Sequence, residues 1–344
     1  MTAVQSGKLL VSGANGYIAV WLLQRLLEQG FFVRGTVRSE KSLPYLKKLF
    51  SKYGDKLEFV IVADITKDGA FDEAVKGMDA VLHTASPFHY QASDPKEIID
   101  PAVLGTVSIL ESVRQHAPQV KRVIILSSIA AIMDGATSTG PAHLSEKDWN
   151  VASVTACETL GKEAHQGDKY LASKTLAERA AWEFVDKHKG ELKFDVVAIN
   201  PPFVHGPTLH EVNSPENLNA SLFSLWTAVF TDKKSKEDLT APGGVWVDVR
   251  DLADGIIASL KKEEAGGQRI IVSADEYTWE QWVRAAHNID NSIPDRMPEY
   301  DVDNVVHPIT FDNTKSKELL GQTYIDRETC TRDMLAQFKE KGWY

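Results

Sequence analysis

A tyrosine and a lysine four residues apart, Tyr170 and Lys174 in the stretch YLASK, have side chains suited to acid–base chemistry. The stretch falls in a predicted helix, where residues four apart share one face, so the phenol and the ammonium would be neighbours. A neighbouring ammonium favours the phenolate and lowers the pKa of a tyrosine from about 10, which makes the phenol a usable proton donor near neutrality. Such pairs also arise by chance, so the interpretation depends on the context.

Two adjacent serines, Ser127 and Ser128, end the apolar run VIILSS. This run is predicted to be the fifth strand of a parallel sheet, and sheets of this type bind ligands at the carboxyl ends of their strands. A hydroxyl at that edge can hold a carbonyl oxygen. Taken separately, the serines are better explained as hydrogen-bonding groups at a strand end than as catalytic groups.

The stretch LLVSGANGYIA, residues 9–19, places Gly13 and Gly16 between an apolar strand and a helix. Glycines at such a turn let the main chain approach a ligand, and the N–H groups and dipole of the helix attract an anion such as a pyrophosphate. The spacing departs from the usual G-x-G-x-x-G pattern, and a tight turn without a ligand explains the glycines about equally well. The position at the first strand and first turn favours a dinucleotide site.

The end of the second predicted strand, TVRSEK, indicates which dinucleotide would bind. Sites selective for NAD carry an acidic residue about 20 positions after the glycines, where it contacts the ribose 2′-hydroxyl. Arg38 stands there instead, and its guanidinium suits a 2′-phosphate, with Lys41 as a second positive charge. Two solvated surface cations are the alternative, and Glu40 counts against a phosphate site. We predict NADPH rather than NADH, with Arg38 as the main determinant.

The elements that must position these residues follow from an alternation of short β-branched runs with longer helical patterns. The short runs are too apolar for strands with one wet face, which is typical of a parallel sheet covered by helices on both faces. The sequence therefore predicts the α/β class with a doubly wound parallel sheet. The predicted strands span 8–12, 32–37, 58–62, 80–84, 122–127 and 194–199, and the predicted helices span 18–29, 70–76, 97–116 and 168–188.

The alternation breaks after Pro201 and Pro202, where stretches rich in Pro, Asn and Ser precede the charge run DKKSKED. We expect a dinucleotide-binding domain over residues 1–203 and a smaller C-terminal lobe, mainly for substrate binding, over 204–344. A second strand pattern near 245–249 leads into a helix over 251–262. Residues 243–265 are therefore expected to return to the main sheet.

Composition and charge limit the possible partners. With 344 residues, 43% of them hydrophobic, the chain can bury a large core. Its net charge of −10 argues against nucleic acid as the main partner. The start MTAVQSGK lacks the apolar core of a secretory signal, and no apolar run approaches the roughly 20 residues of a membrane span. We expect a cytoplasmic protein, monomer or homodimer, that does not bind a membrane.

Cysteines and histidines give no indication of a metal site. Cys157 and Cys330 do not form a pair with the spacing of metal ligands, and the ten histidines show no ligand spacing. The expectation is a reducing compartment and no bound metal.

Taken together, these motifs resemble the extended short-chain dehydrogenases/reductases. GANGYIA, HTASP, LSS, YLASK, NPPFVHGP and WVDVRDLA occur in the order found in that superfamily, over nearly the whole chain. HTASPF, SKTLAERAAWEF and WVDVRDLA look most similar to the dihydroflavonol-reductase-like branch, especially the yeast NADPH-dependent methylglyoxal and carbonyl reductases.

The resemblance implies a Rossmann dinucleotide-binding domain and a role for each matching residue. Tyr170 would protonate the carbonyl oxygen, Lys174 would bind the nicotinamide ribose and depress the pKa of Tyr170, and Ser128 would orient the carbonyl. Two departures from the family are Leu126, where threonine is common, and the displaced basic residue after Arg38. Further cofactor contacts are implied at Gly13, Asn15, Gly16, Tyr17, Ile18, Asp64, Ile65, Thr84, Ala85, Ser86, Pro201 and Val204.

These observations predict an NADPH-dependent carbonyl reductase for small or medium aldehydes and ketones. A sugar-nucleotide epimerase or dehydratase would share the fold and the Ser–Tyr–Lys set, and a non-catalytic NADP(H) sensor would share the glycine turn. The intact catalytic set counts against the sensor, and the lack of an obvious basic cluster in residues 205–240 counts against the epimerase. Apolar residues expected near the mouth indicate an aromatic-tolerant pocket, although each also suits a plain core position: Phe88, Ile129, Met133, Phe203 and Trp226.

Overall fold

A computed structural model describes residues 3–86, 92–134 and 141–344 of the chain. The strands of the described residues are β1 (Lys8–Ser12), β2 (Phe32–Val37), β3 (Leu57–Ile61), β4 (Ala80–His83), β5 (Arg122–Leu126), β6 (Ala142–Leu144), β7 (Asp195–Asn200), β8 (Phe203–His205), β9 (Pro242–Asp248), β10 (Arg269–Ile271), β11 (Glu276–Thr278) and β12 (Ile309–Phe311). The α-helices are α1 (Tyr17–Glu28), α2 (Leu43–Leu49), α3 (Asp72–Val75), α4 (Lys96–His116), α5 (Ala152–Leu160), α6 (Gln166–Lys187), α7 (Ala220–Phe230), α8 (Lys236–Thr240), α9 (Val249–Lys261), α10 (Trp279–Ile289), α11 (Thr314–Glu318) and α12 (Arg327–Glu340).

Seven of these strands form one parallel sheet in the order β10–β7–β5–β4–β1–β2–β3. Strands β2 and β3 lie on one side of β1, and β4, β5, β7 and β10 lie on the other side. The direction in which strands are added therefore reverses between β1 and β4, which makes this junction a topological switch point. The predicted α/β class with a doubly wound parallel sheet is confirmed. The predicted strands and helices of the first 200 residues match the observed bounds to within two residues.

Helices cover both faces of the sheet. Successive side chains of a strand point to opposite faces, so an apolar run such as β1 has apolar side chains to bury on each face. On β1, Leu9 and Val11 belong to a core cluster shared with α1 and α9. Leu10 belongs to a second cluster shared with α4 and α6. The helix that carries Tyr170 and Lys174, α6, packs against this face of the sheet beside α4, which fixes it close to the strand ends.

The strand predicted near 245–249 exists as β9, but the prediction that it joins the main sheet is wrong. It pairs with β8 and β11 in a separate three-stranded sheet. This sheet, the adjoining strand β12 and the helices α7, α8, α10 and α12 are called the C-terminal lobe below. Trp246 of β9 is fully buried, with its ring centroid 4.8 Å from that of Trp282, so the strand gains its burial inside the lobe. Only the following helix, α9, returns to the main domain, where it packs against α1.

The seventh strand of the main sheet, β10, has no counterpart in the predicted set and pairs with β7. With three residues it is too short to produce a periodic sequence pattern. Within the described ranges, no helix is long and apolar enough to cross a membrane. The same ranges contain no group of three or more His, Cys, Asp or Glu side chains arranged to hold a metal ion.

One buried arginine links the main sheet to the end of α9. Arg122 donates from Nε and Nη2 to the two carboxylate oxygens of Asp195, at 2.7 and 2.8 Å. Its Nη1 donates to the carbonyl oxygens of Ser259 and Lys262, both at 2.5 Å. These carbonyls lie at the carboxyl end of α9, where the helix dipole favours a cation. The contacts hold α9 against β5 and β7.

Replacing Arg122 by methionine should lower the free energy of unfolding by about 3–5 kcal/mol, because Asp195 and the carbonyls of α9 would lose their buried donor. Urea titration monitored by tryptophan fluorescence measures this change. The control is Arg114→Met, which removes a partly exposed ion pair with Glu111 and should cost less than about 1 kcal/mol. Equal losses in the two variants would contradict a special role for Arg122.

Candidate active site

A cavity of about 600 Å³ lies at the carboxyl edge of the parallel sheet. Its walls come from the glycine turn after β1, the ends of β4, β5 and β7, and α6. These elements meet because parallel strands all end on the same edge. The sequence-predicted residues that line the cavity are Gly13, Gly16, Tyr17, Ile18, Thr84, Ser86, Ser128, Ile129, Met133, Tyr170, Lys174, Pro201, Phe203 and Val204.

The glycine turn is shaped for close approach of a ligand. Gly13 has a φ of +67°, and a Cβ added there would lie 3.0 Å from the Cα of Ala85, so a side chain is disfavoured on two grounds. Helix α1 begins directly after Gly16, and no side chain caps its N-terminus. Its first residues line the cavity, so the N–H groups of the first turn lie at the cavity wall. This arrangement fits the pyrophosphate of a dinucleotide.

A buried serine and histidine fix the segment opposite the turn. The Ser12 hydroxyl accepts hydrogen bonds from the main-chain N–H groups of Thr84 and Ala85, both at 3.0 Å. Its own proton is therefore available to Nδ1 of His83, 2.9 Å away. Burial and, to a smaller extent, the charge of Lys174 lower the pKa of His83 to about 3, so the ring is a neutral acceptor. Ala85 thus stands behind the turn and supports it from outside the cavity.

Lys174 is a half-buried residue of the cavity wall, to which Tyr170 also contributes. Its Nζ donates to the hydroxyl of Ser86 at 3.1 Å. Burial lowers the pKa of Lys174 from 10.5 to about 8. The group therefore carries its charge at neutral pH at a cost in folding free energy, and an anionic or hydroxyl-rich ligand in the cavity would offset that cost.

The two serines after β5 have different hydrogen-bonding environments. The hydroxyl of Ser127 donates to the buried carboxylate of Glu178 at 2.5 Å. The hydroxyl of Ser128 donates to the carbonyl oxygen of Pro201 over a long 3.3 Å and accepts the N–H of Ala130. A ligand oxygen can replace the weak contact of Ser128 more readily than the charge-assisted contact of Ser127.

The residues predicted to contact the adenosine end lie outside the cavity wall. Arg38 and Lys41 are exposed just after β2. Asn15, which was predicted at the pyrophosphate turn, also lies outside the wall and donates from its side chain to the hydroxyl of Ser42 at 3.2 Å. Hydrogen bonds from Thr66 lower the pKa of the exposed Asp64, and the charge of Arg38 makes a smaller contribution. Arg38 and Asp64 therefore share one solvent-facing region of the sheet edge.

Ile65 and Trp226 pack elsewhere. The side chain of Ile65 contacts α4 beside Gly105, where a Cβ would lie 2.8 Å from its Cδ1. Trp226 lies on α7 with its ring centroid 4.3 Å from that of Phe230 and 5.3 Å from that of Phe338. It is a core residue of the lobe, contrary to the expectation that it lines the pocket, because its face of α7 turns towards α12. Phe88 lies outside the described residues.

The C-terminal lobe supplies a cavity wall that sequence reasoning missed. The glycine pair Gly243–Gly244 is the only sequence feature of this wall that could have indicated a special position. Its geometry requires glycine, since Gly244 has a φ of +97° and a Cβ on Gly243 would lie 2.4 Å from the ring of Tyr277. The other segments carry no motif and meet only in the folded chain. This wall consists of Asn219, Ala220, Ser221, Pro242, Gly243, Gly244, Val245, Pro308, Ile309 and Phe311.

Comparison with known proteins gives consistent matches along the chain. The model of the NAD dependent epimerase/dehydratase family matches residues 9–274. The ketoreductase azaE of Aspergillus niger is 37% identical over 343 residues, covering 97% of this chain and 98% of the relative. The NADPH-dependent methylglyoxal reductase GRE2 of Saccharomyces cerevisiae is 32% identical, with 95% and 96% covered. The crystal structure of yeast methylglyoxal/isovaleraldehyde reductase Gre2 complexed with NADPH matches with a TM-score of 0.86 at 32% identity, covering 98% and 100%.

Substituting Lys174 by methionine should stabilise the cofactor-free protein at pH 7 by about 3 kcal/mol, because it removes a desolvated charge and nearly keeps the volume. The folded-state pKa, about 8, lies below the unfolded value of 10.5. The penalty is therefore complete below pH 8 and disappears as pH rises towards 10.5. Denaturant titrations of wild type and variant at pH 7 and pH 10 measure the difference.

The control is Lys169→Met on the same helix. Lys169 is more deeply buried than Lys174, and its ammonium donates to the carbonyl oxygens of Ala92, Ser93 and Lys162 at 2.9–3.0 Å. Its loss should destabilise the protein at both pH values. The account of Lys174 is contradicted if both variants are destabilised alike at pH 7.

Proposed function

Because this chain belongs to the NAD dependent epimerase/dehydratase family, the extended short-chain dehydrogenases/reductases, we propose that it is an NADPH-dependent carbonyl reductase that converts aldehydes and ketones to alcohols. The observation that carries this proposal is that Ser128, Tyr170, Lys174 and the glycine turn all line one cavity. Its relatives in Aspergillus niger and Saccharomyces cerevisiae are named a ketoreductase and an NADPH-dependent methylglyoxal reductase.

The residues of the sheet edge would hold the cofactor along its length. The turn at Gly13 and Gly16 would bind the pyrophosphate, Arg38 with Lys41 the 2′-phosphate, and Lys174 the nicotinamide ribose. Bound NADPH supplies the hydride for the carbonyl carbon. Further proposed contacts, at the positions that match the family, are Asn15, Tyr17, Ile18, Asp64, Thr84, Ser86, Tyr170, Pro201 and Val204.

Proton transfer falls to Tyr170. As negative charge develops on the carbonyl oxygen, the phenol of Tyr170 donates its proton there and the hydroxyl of Ser128 donates a hydrogen bond. The nearby ammonium of Lys174 stabilises the phenolate that remains. Ser127 takes no part in this step, since its proton is held by Glu178.

The cavity wall favours an apolar carbonyl compound over a sugar nucleotide. Among the described lining residues, Lys174 is the only basic side chain, so a substrate diphosphate would have no second cationic partner. Ile129, Met133 and Phe203 give the wall an apolar surface that suits aliphatic and aromatic groups. We therefore favour simple aldehydes and ketones as substrates and disfavour the epimerase reaction.

The proposed location is the cytoplasm, with the protein acting as a monomer or homodimer. Cys157 and Cys330 are both free and buried, which supports a reducing compartment.

The experiment that tests the function follows the loss of NADPH absorbance with a panel of ketones, aldehydes and nucleotide sugars. Turnover with simple carbonyl compounds supports the reductase. Turnover confined to nucleotide sugars supports the epimerase or dehydratase class, and cofactor binding without any turnover supports a sensor.

Replacing Tyr170 by phenylalanine should preserve folding and NADPH binding and reduce kcat by at least about 100-fold, because it deletes the acid and little volume. Kd for NADPH, a circular dichroism spectrum and kcat are measured on the same preparation. The matched control is Tyr53→Phe, on a tyrosine remote from the cavity. A folded Tyr170→Phe enzyme with near-normal kcat would overturn the assignment.

Arg38→Ala should raise the Kd for NADPH by one to two decades, or about 1.5–3 kcal/mol, because it removes a charge-assisted contact to the 2′-phosphate. NADH lacks that phosphate, so its Kd should change far less. Both constants are measured in low salt, which limits screening of the exposed guanidinium. Lys47→Ala, an exposed cation on α2, is the control and should change neither value. Equal losses for both cofactors would show that Arg38 does not select the phosphate.

A further inference from the structure

A buried carboxylate lies on the same helix as the catalytic pair. Glu178 follows Lys174 by one turn and Tyr170 by two, so the three residues share one face of α6. Its side chain is 1% exposed. Both of its oxygens are occupied by donors from three other parts of the chain and from its own helix: Ser127 Oγ at 2.5 Å and Asn200 Nδ2 at 2.7 Å on Oε2, and Arg269 Nε at 2.5 Å and Trp182 Nε1 at 3.2 Å on Oε1.

Two of these donors also fix the main chain of Ser128. Ser127 is its direct neighbour at the end of β5. The side-chain amide of Asn200, at the end of β7, donates to Glu178 and also to the carbonyl oxygen of Ser128 at 3.0 Å. A displacement of the Glu178 carboxylate would therefore shift Ser128 both through its neighbour Ser127 and through the side chain of Asn200.

The third donor anchors the carboxylate to the edge of the sheet. Arg269 on β10 lies with its guanidinium 3.7 Å from the ring centroid of Trp149. It also donates to the carbonyl oxygens of Glu146 and Asp148 at 2.8 and 2.6 Å. Since the guanidinium is held by three groups besides Glu178, the ion pair gives the carboxylate a fixed position rather than a mobile one.

We propose that Glu178 is a positioning residue that sets the separation between Ser128 and the Tyr170–Lys174 pair. Its carboxylate does not line the cavity formed by the described residues, so it acts through its neighbours. It holds Ser128 through Ser127 and Asn200, and it holds Tyr170 and Lys174 through the backbone of α6. The inference rests on the proposed reductase function, because that function needs both hydroxyl groups on one carbonyl oxygen.

The same contact determines which serine is available to a substrate. With Glu178 in place, the proton of Ser127 is committed to a carboxylate, and Ser128 is the serine left to bind a carbonyl oxygen. Without it, the hydroxyl of Ser127, which also lines the cavity, competes for that oxygen from the adjacent position.

The test is Glu178→Gln, which keeps the shape of the side chain. Each carboxylate oxygen of Glu178 accepts two hydrogen bonds, and glutamine replaces one of these oxygens by an NH₂ group, which can only donate. Kinetic constants are expressed per NADPH-binding site, so that a loss of folded protein does not count. We expect kcat to fall about 10- to 100-fold, because small displacements of reacting groups have effects of that size. KM and the Kd for NADPH should change less than about threefold. Glu183→Gln, exposed on the same helix, should leave all three unchanged.

A second variant keeps the proposal testable if Glu178→Gln does not fold. Asn200→Ala cuts the link between Glu178 and Ser128 without touching the cavity wall, and should lower kcat with the same small change in KM. In the variant that carries both Glu178→Gln and Asn200→Ala, the two reductions of kcat should not multiply, since both substitutions break the same connection between Glu178 and Ser128. A Glu178→Gln or Asn200→Ala enzyme with normal kcat, or fully multiplicative losses, would overturn the proposal.

Crystal structures of the cofactor-free variants test the positioning role independently of activity. The inference expects the distance between Ser128 Oγ and the Tyr170 hydroxyl to change by about 0.5 Å or more relative to wild type, a displacement large enough to disturb catalysis. An unchanged distance would contradict it. Wild-type enzyme inactive on every carbonyl compound would instead overturn the proposed function, so the two failures are distinguishable.

Discussion

The parallel alignment of the central strands is the constraint on which the site depends. Each crossover helix returns the chain to the start of a new strand, so every strand ends at the same edge of the sheet. The glycine turn after β1, the segment after β4 and the serines after β5 therefore meet, although they are far apart in sequence. The crossover helix α6 then brings Tyr170 and Lys174 to the same edge.

Strand alignment brings these segments to one edge, and hydrogen bonds between buried polar groups then fix the position of each segment. Ser12 with His83 holds the segment after β4, and Glu178 with Asn200 holds the end of β5 against α6. These groups are hydrogen-bonded, so their burial is tolerated. Lys174 differs, since burial lowers its pKa and the folded protein carries a charge with little compensation. A destabilised charge at the cavity wall is expected where binding and catalysis need it.

Local signals account for what the sequence predicts well. Strands such as β1 have continuous apolar runs, and the glycine turn and the Tyr170–Lys174 spacing are contained within a few residues. The partner of β9 is decided by aromatic packing around Trp246, which no local pattern encodes. Trp226 illustrates the same limit, because helical periodicity cannot distinguish a core position from a pocket wall. The spacing of Glu178 after Lys174 was visible in the sequence, but its partners Asn200 and Arg269 were not.

The central claim is that one carbonyl oxygen meets both Ser128 and Tyr170 in the cavity at the sheet edge. The most direct measurement is a crystal structure with NADP⁺ and a ketone that turns over with NADPH. The account predicts the carbonyl oxygen within about 3 Å of the Ser128 and Tyr170 hydroxyls, with the apolar part of the ketone against Ile129, Met133 and Phe203. A carbonyl oxygen bound to Ser127, or one turned away from Tyr170, would contradict it.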